Sequence, residues 1–406
     1  MRILHTSDWH VGRTLHGANL QSAHAQFFDW LVGVVERESV DALIIAGDVF
    51  DRAVPPLEAV ELVDRVVSRL AELTTVVFTP GNHDSALRLG FGQDWNEERV
   101  IVRSRAAEVG EPIVLRGRDG SAGAVLFALP YLDPELARGQ LAQALADREV
   151  ARSHEGVVAA AMELVKAGHA QVDQELPVVV VAHAFVAGGR ASDSERDIKV
   201  GGVDLVPSEV IVPPAGWRPN YVALGHLHRA QNVGGLDGAQ GGPVMRYSGS
   251  PVAFSFSEAG DEKSVTLVEL TRRGGGAKTT VLAAPVERPL AVLRGSMEEL
   301  LSEGHATYRS HYVSVEVTDA VRPAEMVARI KAVFPWALVT QHKPEVASQQ
   351  SEIDAASRRS TAARANPVDV VGDFLTAVTG QEVNAELLAE IAAGYESVRA
   401  AKEGAK

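Results

Sequence analysis

Short apolar runs that end in polar residues constrain the fold of this chain more than any other feature. Runs rich in Val, Ile and Leu occupy residues 40–48, 75–82, 177–184 and 220–228, and this composition is typical of strands buried in a sheet. Residues 57–73, between the first two runs, carry apolar side chains at helical spacing. The alternation of strand and helix predicts an α/β fold.

Residue types that bind metal ions stand at the end of each of these runs and of a shorter one, Ile3-Leu4, near the start of the chain. They are Asp8 and His10, then Asp48, then Asn82 and His83, then His183, and finally His226 and His228. Sites in open α/β sheets form beyond the carboxyl ends of the strands. We therefore expect these side chains to meet in one place.

The chemistry of this set indicates two divalent ions. Carboxylate, imidazole and amide groups suit manganese, iron or zinc, and the chain has no cysteine to supply thiolate. The ligands are too many for one ion, and Asp48, whose carboxylate has two oxygens, is the candidate bridge. Two ions about 3.5–4 Å apart can hold both oxygens of a phosphoryl displacement. The sequence thus points to chemistry at phosphorus.

Each of these residues alone has a simpler interpretation. Asp48 could cap a helix, Asn82 could be a turn residue, and Asp84 could be a turn residue or an acceptor behind the site. His183 could be a core histidine with one hydrogen bond. The joint order D-x-H, G-D-x-x-D-R, G-N-H-D, a strand-end His and G-H-x-H would rarely arise by chance. We expect the remaining histidines to be structural or at the surface: His5, His16, His24, His154, His169, His305, His311 and His342.

Composition is that of a globular protein. The 406 residues suggest two or three domains, and 46% are hydrophobic and 23% charged. No apolar run reaches about 18 residues, so no membrane span is expected, and the polar "HTSDWH" near the start predicts no signal peptide. A cytoplasmic location is expected. The net charge of −14 argues against a broadly basic nucleic-acid surface. The acidic residues of a metal site also make the net charge negative when the bound ions are not counted.

Changes in composition and hydrophobic pattern along the chain predict four segments. Residues 1–284 form the α/β block. Residues 285–344 form a small α+β unit with equal numbers of acidic and basic residues. Residues 345–365 are a polar linker, and residues 366–406 contain two amphipathic helices. The Gly-rich stretch 274–280 lacks two glycines that a phosphate-binding loop requires, so no ATP site is expected.

The order of these motifs resembles the calcineurin-like metallophosphoesterases. The stretches "MRILHTSDWHVG", "VDALIIAGDVFD", "GNHDS", "SDSERDIKVGG", "YVALGHLHRAQ" and "YSGSPVAFSFSE" further resemble the SbcD family, the nuclease subunits of bacterial SbcCD complexes, and they fall within residues 1–258. The resemblance implies two facing β-sheets flanked by helices, followed by a small α+β capping domain and C-terminal helices.

The resemblance also implies a role for each site residue. One ion would be held by Asp8, His10, Asp48 and His228. The other would be held by Asp48, Asn82, His183 and His226. His83 would not be a ligand; it would face the phosphate and help the 3′ oxygen leave, as an acid or hydrogen-bond donor. Asp51 stands where archaeal and eukaryotic relatives commonly have a histidine, so it is assigned no role.

The implied activity is that of a manganese-dependent DNA nuclease, a 3′–5′ double-strand exonuclease and single-strand or hairpin endonuclease that processes DNA ends in repair and recombination. The implied partners are DNA, an SbcC-type ABC ATPase whose coiled coil is gripped by residues 366–406, and a second copy of the chain, as a homodimer within a heterotetramer. No membrane partner is expected, and the cytoplasmic location would be nucleoid-associated. Two alternatives stay open: another phosphoesterase, acting on phosphoproteins or small molecules, and a non-catalytic scaffold.

Overall fold

The computed structural model describes residues 1–93, 99–195, 205–239, 242–271 and 276–344, and the single positions 387, 389 and 392. The predicted linker at 345–365 and, apart from those three positions, the predicted helices in 366–406 lie outside the described residues. None of the described helices is long and apolar enough to cross a membrane.

Strands and helices alternate through the first 230 residues, as the sequence predicts. The strands are β1 Arg2–Thr6, β2 Thr14–Leu15, β3 Ala18–Asn19, β4 Ala42–Ala46, β5 Thr75–Thr79, β6 Val100–Val102, β7 Ile113–Arg116, β8 Ala122–Leu129, β9 Val178–His183, β10 Tyr221–Gly225, β11 Gln231–Asp237, β12 Val244–Tyr247, β13 Ser264–Glu269, β14 Lys278–Ala283, β15 Leu290–Gly295, β16 Tyr312–Val317 and β17 Ala337–His342. The α-helices are α1 Gln21–Arg37, α2 Leu57–Leu73, α3 Ala86–Leu89, α4 Pro134–Ala144, α5 His154–His169, α6 Ser208–Ile211, α7 Met297–Leu300 and α8 Met326–Val333.

Two six-stranded sheets form the larger part of the described fold. The first has the order β14-β13-β1-β4-β5-β6 and the second the order β11-β12-β10-β9-β8-β7. The central strands β1, β4, β5 and β6 are parallel to one another, and so are β8, β9, β10 and β12. The carboxyl ends of the parallel strands in each sheet therefore share one edge.

The two sheets face each other across a common apolar core. Ile44 and Val77 of the first sheet belong to the same buried cluster as Val179 and Ala223 of the second. Successive side chains of a strand point to opposite faces, so Leu43, next to Ile44, belongs to a different cluster behind the sheet. Each central strand is thus buried on both faces, which is why its sequence is continuously apolar.

Helices cover the outer face of each sheet. Leu31 of α1 and Leu62 of α2 are buried in the cluster behind the first sheet, and Leu141 of α4 and Val157 of α5 are buried in the cluster behind the second. Helix α2 is strongly amphipathic, and its bounds match the predicted helix at 57–73. This helix–sheet–sheet–helix arrangement confirms the predicted α/β fold of two facing β-sheets flanked by helices.

The region after residue 284 holds a separate three-stranded sheet of order β15-β16-β17. Helix α7 begins with a capping box, in which Ser296 and Glu299 each bond to the other's backbone N–H. The chain divides into two compact units, one of residues 1–293, 305–315 and 330–339, and the other of residues 294–304, 316–329 and the described residues from 340 on. The predicted domain boundary after residue 284 stays a prediction.

Candidate metal centre

The loops after β1 and β4 run side by side because these strands are parallel neighbours. The N–H of Asp8 donates to the carbonyl of Gly47 at 3.0 Å, and the N–H of His10 donates to the carbonyl of Asp48 at 2.9 Å. This backbone pairing continues the sheet beyond its last regular residues. It sets the D-x-H and G-D motifs of the sequence directly against each other.

Several of the predicted ligands have a backbone conformation that side chains rarely adopt. Asp8, His10 and Asp48 have φ of 53°, 45° and 50°, and His226 has φ of 107°. Positive φ is disfavoured for residues with a β-carbon, and such strain is concentrated at functional sites. At these four positions the unusual backbone conformation directs the side chains toward the same space at the edge of the sheet.

His183, the last residue of β9, has a hydrogen-bonding pattern that calls for a cation. Its Nδ1 lies 2.9 Å from the carbonyl of Ala46, which can only accept, so Nδ1 carries a proton. Its Nε2 faces Asn82 Oδ1 at 3.0 Å and Asp48 Oδ2 at 3.5 Å. In the neutral ring Nε2 is itself an acceptor. Three acceptors then face one another, and only a proton or a metal ion among them relieves the repulsion.

The other half of the site is built around His10 and His228. Their Nε2 atoms lie 3.1 Å apart, and His10 Nε2 lies 3.4 Å from Asp48 Oδ2. Asp8 accepts from the backbone N–H of His226 at 2.9 Å, which fixes its carboxylate beside them. His226 in turn places Nδ1 3.2 Å from Asn82 Oδ1.

The structure therefore brings all of the predicted ligands together. Six of them are almost fully buried: Asp8, His10, Asp48, His183, His226 and His228. Among the described residues, three sets of groups have ligand atoms within 4.8 Å of one another: Asp8, His10 and His228; His10, Asp48 and His83; and Asp8, Asp48 and His183. Asp8, His10 and Asp48 each occur in two of these sets. His83 occurs in one, although the sequence assigns it another role.

Burial prepares most of these histidines to bind metal. It lowers the pKa of His226 to about 3 and holds the pKa of His10 and of His228 well below the usual value, so these rings are neutral at pH 7, as metal ligands must be. Burial opposes the ionisation of Asp48, but the facing rings of His183 and His10 hold its pKa well below the usual value.

Two groups hold protons that a metal ion has to displace. Burial raises the pKa of the Asp8 carboxyl to about 8. Burial alone would lower the pKa of His183, but the charge of Asp48 and its hydrogen bond override that effect and raise the pKa to about 9. The donor set of carboxylate, imidazole and amide fits divalent ions of borderline softness.

His83 lies at the open side of the cluster. Its backbone N–H donates to Asp48 Oδ1 at 2.9 Å, and its Nδ1–H donates to the carbonyl of Asp51 at 2.7 Å. These bonds leave Nε2 as the nitrogen available to another group. His83 lines an open cavity of about 620 Å³ together with Arg13 and Arg52. It is thus placed to meet a substrate that enters from solvent.

Asp84 could be a turn residue or an acceptor behind the site on sequence alone, and the structure shows it as an acceptor. Its carboxylate accepts from the backbone N–H groups of Val49, Phe50 and Gly81 at 2.9–3.0 Å. These bonds tie the loop after β4 to the loop after β5. Burial and the nearby charge of Asp48 raise the pKa of Asp84 to about 7.

Some residues that lie against the site had no predicted role. Ser194 Oγ lies 2.5 Å from His228 Nδ1, and Glu195 accepts from the backbone N–H of His228 at 2.8 Å. Glu258 accepts from Ser194 at 2.7 Å. The only sequence signal for these residues is that they lie in the stretches "SDSER" and "SFSE".

The chain matches two family profiles. Residues 1–230 match the calcineurin-like phosphoesterases, and residues 286–379 match the type 5 capsule protein repressor C-terminal domain. Over 314 residues the chain is 36% identical to the D subunit of nuclease SbcCD from Escherichia coli (strain K12), an alignment that covers 75% of this chain and 73% of that one. The protein of the same name from Bacillus subtilis (strain 168) is 37% identical over 273 residues, 66% of each chain. That from Rhodobacter capsulatus is 35% identical over 320 residues, 72% of this chain and 71% of the other.

Solved structures give weaker likenesses. The protein TT1561 of Thermus thermophilus is 15% identical with a TM-score of 0.37, and a dimetal phosphatase from Danio rerio is 12% identical with a TM-score of 0.39. Each alignment covers 69% of this chain and 98% of the other. Likenesses this weak carry no argument about function.

The profile match and the three relatives agree with the resemblance seen in the motifs. The phosphoesterase profile spans the whole stretch in which the predicted ligands occur, and it confirms the expected class of enzyme, a hydrolase of phosphoesters. The three relatives share one name, and those from Escherichia coli and Rhodobacter capsulatus align over 75% and 72% of this chain. The chain therefore belongs to the SbcD family of the calcineurin-like phosphoesterases.

Proposed function

We propose that this protein is a metal-dependent DNA nuclease, the catalytic subunit of an SbcCD-type complex that processes DNA ends. The observation that carries the proposal is the arrangement around His183, where Nε2, Asn82 Oδ1 and Asp48 Oδ2 converge on one space, as ligands around a cation do. Similarity to nuclease subunits in three bacteria supports DNA as the substrate class.

The proposed cofactors are two divalent ions, with Mn²⁺ as the physiological choice. Asp8, His10, Asp48 and His228 would hold one ion. Asp48, Asn82, His183 and His226 would hold the other. A pair of ions held by these residues would stabilise the charge on a phosphodiester and would lower the pKa of a water from 15.7 to about 7, so that hydroxide is available at neutral pH.

The proposed catalytic residue of the chain itself is His83. Its Nδ1–H is fixed on the carbonyl of Asp51, so the ring can give a proton only from Nε2, and only when it is protonated. From the open cavity Nε2 can reach a phosphodiester held beside Asp48 and Asn82. Donation of this proton to the departing 3′ oxygen neutralises the charge that develops there.

The proposed partners are DNA and an ABC-type ATPase with a coiled coil. Residues 285–344 would form the capping domain that contacts DNA, residues 345–365 the linker, and residues 366–406 the helices that bind the coiled coil. The full assembly would be a heterotetramer in the cytoplasm, associated with the nucleoid.

Deletion of residues 366–406 is expected to abolish co-elution with the ATPase and to spare Mn²⁺-dependent cleavage by the isolated subunit. Co-elution at undiminished affinity would contradict this assignment.

The proposed homodimer would form through α2 and α3. Exposed apolar side chains line a groove of about 600 Å³ there: Val54 is 63% exposed, Val60 40% and Phe91 75%. A second copy would bury these side chains, since an exposed apolar patch beside a functional site marks an interaction surface. Phe91→Glu should yield monomers in light scattering, whereas Val321→Glu, at an equally exposed valine in the capping region, should not. Dimers of Phe91→Glu would exclude this face.

Cleavage with Mn²⁺ tests the function itself. The substrates are linear duplex DNA, single-stranded DNA, a DNA hairpin and a chromogenic phosphodiester, each with Mn²⁺ and with a chelator. The proposal expects Mn²⁺-dependent cleavage of DNA by the wild-type chain and none by Asp48→Asn. Hydrolysis of the chromogenic ester without DNA cleavage would favour a small-molecule phosphodiesterase. The absence of hydrolysis on every substrate would favour a scaffold.

A further inference from the structure

Two stretches of sequence with no assigned role meet behind His228. Ser194 Oγ lies 2.5 Å from His228 Nδ1 and 2.7 Å from Glu258 Oε1. Ser194 is only 6% exposed, and Glu258 and His228 are 2% exposed. We propose that Glu258, acting through Ser194, holds His228 in the tautomer that carries its proton on Nδ1, and so keeps Nε2 ready to bind a metal ion. Both would be positioning residues.

The direction of this hydrogen-bonded chain follows from the carboxylate at its end. Lys263 Nζ lies 2.5 Å from Glu258 Oε2, and both side chains are buried. Glu258 Oε1 also accepts from the backbone N–H of Phe254 at 3.1 Å. An ion-paired carboxylate can only accept, so the single hydroxyl hydrogen of Ser194 points to Glu258. Ser194 Oγ must then accept, and the donor it faces is Nδ1–H of His228.

The remaining neighbours of Ser194 agree with this direction. Ser192 Oγ lies 2.8 Å from Ser194 Oγ and 2.8 Å from Glu195 Oε2. The hydroxyl of Ser192 can therefore donate its hydrogen to Glu195 and does not need Ser194 as an acceptor. Glu195 also accepts from the backbone N–H of His228. The same short loop therefore fixes both the backbone and the ring of this histidine.

The opposite nitrogen of the ring is the one that faces the cluster. His228 Nε2 lies 3.1 Å from His10 Nε2. The other tautomer would point an N–H into the space where the ion is expected. Hydrogen-bonded groups behind a metal ligand orient it and raise its basicity, and their loss typically costs about 10–100-fold in metal affinity. The inference rests on the proposed function to the extent that His228 is taken as a ligand.

Calorimetry with Mn²⁺ on the full chain tests the inference. Ser194→Ala should weaken the binding of one of two ions by about 10–100-fold and leave the other nearly unchanged, and Ser194→Thr, which keeps the hydroxyl, should restore most of the affinity. Glu258→Gln should weaken the same ion. The double variant should bind no more weakly than the worse single variant, because both residues act along one chain. Ser104→Ala is the matched control, since it removes a hydroxyl that donates to Gln93 over the same 2.7 Å.

A second measurement does not depend on metal. Nitrogen NMR of the metal-free, histidine-labelled chain should show His228 protonated on Nδ1, and Ser194→Ala should shift it toward the other tautomer. An Nε2–H tautomer in the wild-type chain, or unchanged Mn²⁺ affinity in a folded Ser194→Ala, would overturn the inference. Equal losses in Ser194→Ala and Ser104→Ala would also overturn it, as an effect of stability alone. A wild-type chain that binds no Mn²⁺ but shows the expected tautomer would refute the proposed function and not the positioning of His228.

Discussion

Gly81 lies so close to Asp48 that a β-carbon at position 81 would come within 2.1 Å of Asp48 Oδ1. The glycine of the G-N-H-D motif thus makes room for the carboxylate that is proposed to bridge two ions. This relationship joins the ends of β4 and β5, which are neighbouring parallel strands. It also makes the close approach testable without any change to a ligand.

Gly81→Ala should therefore displace the Asp48 carboxylate and reduce both metal affinity and stability. Forced overpacking of this kind costs about 1–3 kcal/mol. The matched control is Gly139→Ala on the exposed face of α4, where a β-carbon meets nothing within 4 Å; it should stabilise the helix by about 0.5–1 kcal/mol. Chemical denaturation and Mn²⁺ calorimetry measure the two effects. Wild-type Mn²⁺ binding by Gly81→Ala would show that Asp48 tolerates displacement.

Asp48→Ala should impair both ions, whereas Asp8→Ala should impair mainly one. Asp48 Oδ2 lies 3.4 Å from His10 Nε2 and 3.5 Å from His183 Nε2, so this carboxylate stands between the two halves of the site. The measurement is the number of Mn²⁺ equivalents bound, by calorimetry or metal analysis. Two equivalents bound to Asp48→Ala with unchanged affinity would rule out the bridging role.

His83→Gln should leave metal content nearly intact but slow turnover by about 10²–10⁴, the range for help from a general acid. The ring lies at the open side of the cluster, edge-on to His10 with 4.6 Å between centroids. Metal analysis and single-turnover DNA cleavage separate the two effects. Since His83 can also reach a set with His10 and Asp48, joint loss of metal and activity would instead make it a ligand.

Mn²⁺ affinity should rise with pH until about pH 9. Burial raises the pKa of Asp8 to about 8, and Asp48, against the effect of burial, raises that of His183 to about 9. Both groups must lose their protons to bind metal. Binding of both ions at pH 7 should therefore release close to two protons, about one for each ion, and the affinity for each ion should rise by up to about tenfold per pH unit there. Calorimetry in two buffers of different ionisation enthalpy counts the protons. Near-zero release would mean that neither group is a ligand.

Charge reversal in the capping region should flatten the salt dependence of DNA binding. Arg322 and Arg329 are exposed there, in a stretch with no net negative charge. Each lost phosphate contact reduces the log–log slope by about 0.9 on duplex DNA. The comparison is with Arg116→Glu, an equal change of charge on the exposed side of β7, using metal-free protein so that DNA is not cut. An unchanged slope would place the DNA footprint elsewhere.

The identity of the site residues could be predicted because each follows a strand that its own sequence specifies. Runs that are buried on both faces must be continuously apolar, so the first polar residues after β4, β5 and β10 stand out. Asp48, Asn82 and His226 were found in this way. Parallel strands place their carboxyl ends at one edge, which is why a linear list of motifs predicted a single cluster.

What the sequence could not supply was the pairing of atoms across the cluster. That His183 presents Nε2 while His226 presents Nδ1 depends on how the fold orients each ring; for His183, the carbonyl of Ala46 engages Nδ1. Glu258 reaches His228 through Ser194, which is 64 residues away from it along the chain. No local pattern marks Glu258 as different from other acidic residues near a turn.

The sequence by itself determined which segments become strands, which helix lies between them, and which side chains stand at the strand ends, because burial and backbone periodicity act over a few residues. Only the tertiary structure decided which sheet each strand joins, that β13 pairs with β1 on one sheet while β12 pairs with β10 on the other, and hence which distant groups meet. The close approach of Gly81 to Asp48 needs β4 and β5 to pair, and the contact of His183 Nδ1 with the carbonyl of Ala46 needs the two sheets to pack face to face, since distances of a few ångströms between remote residues are set by the whole fold and not by local preference.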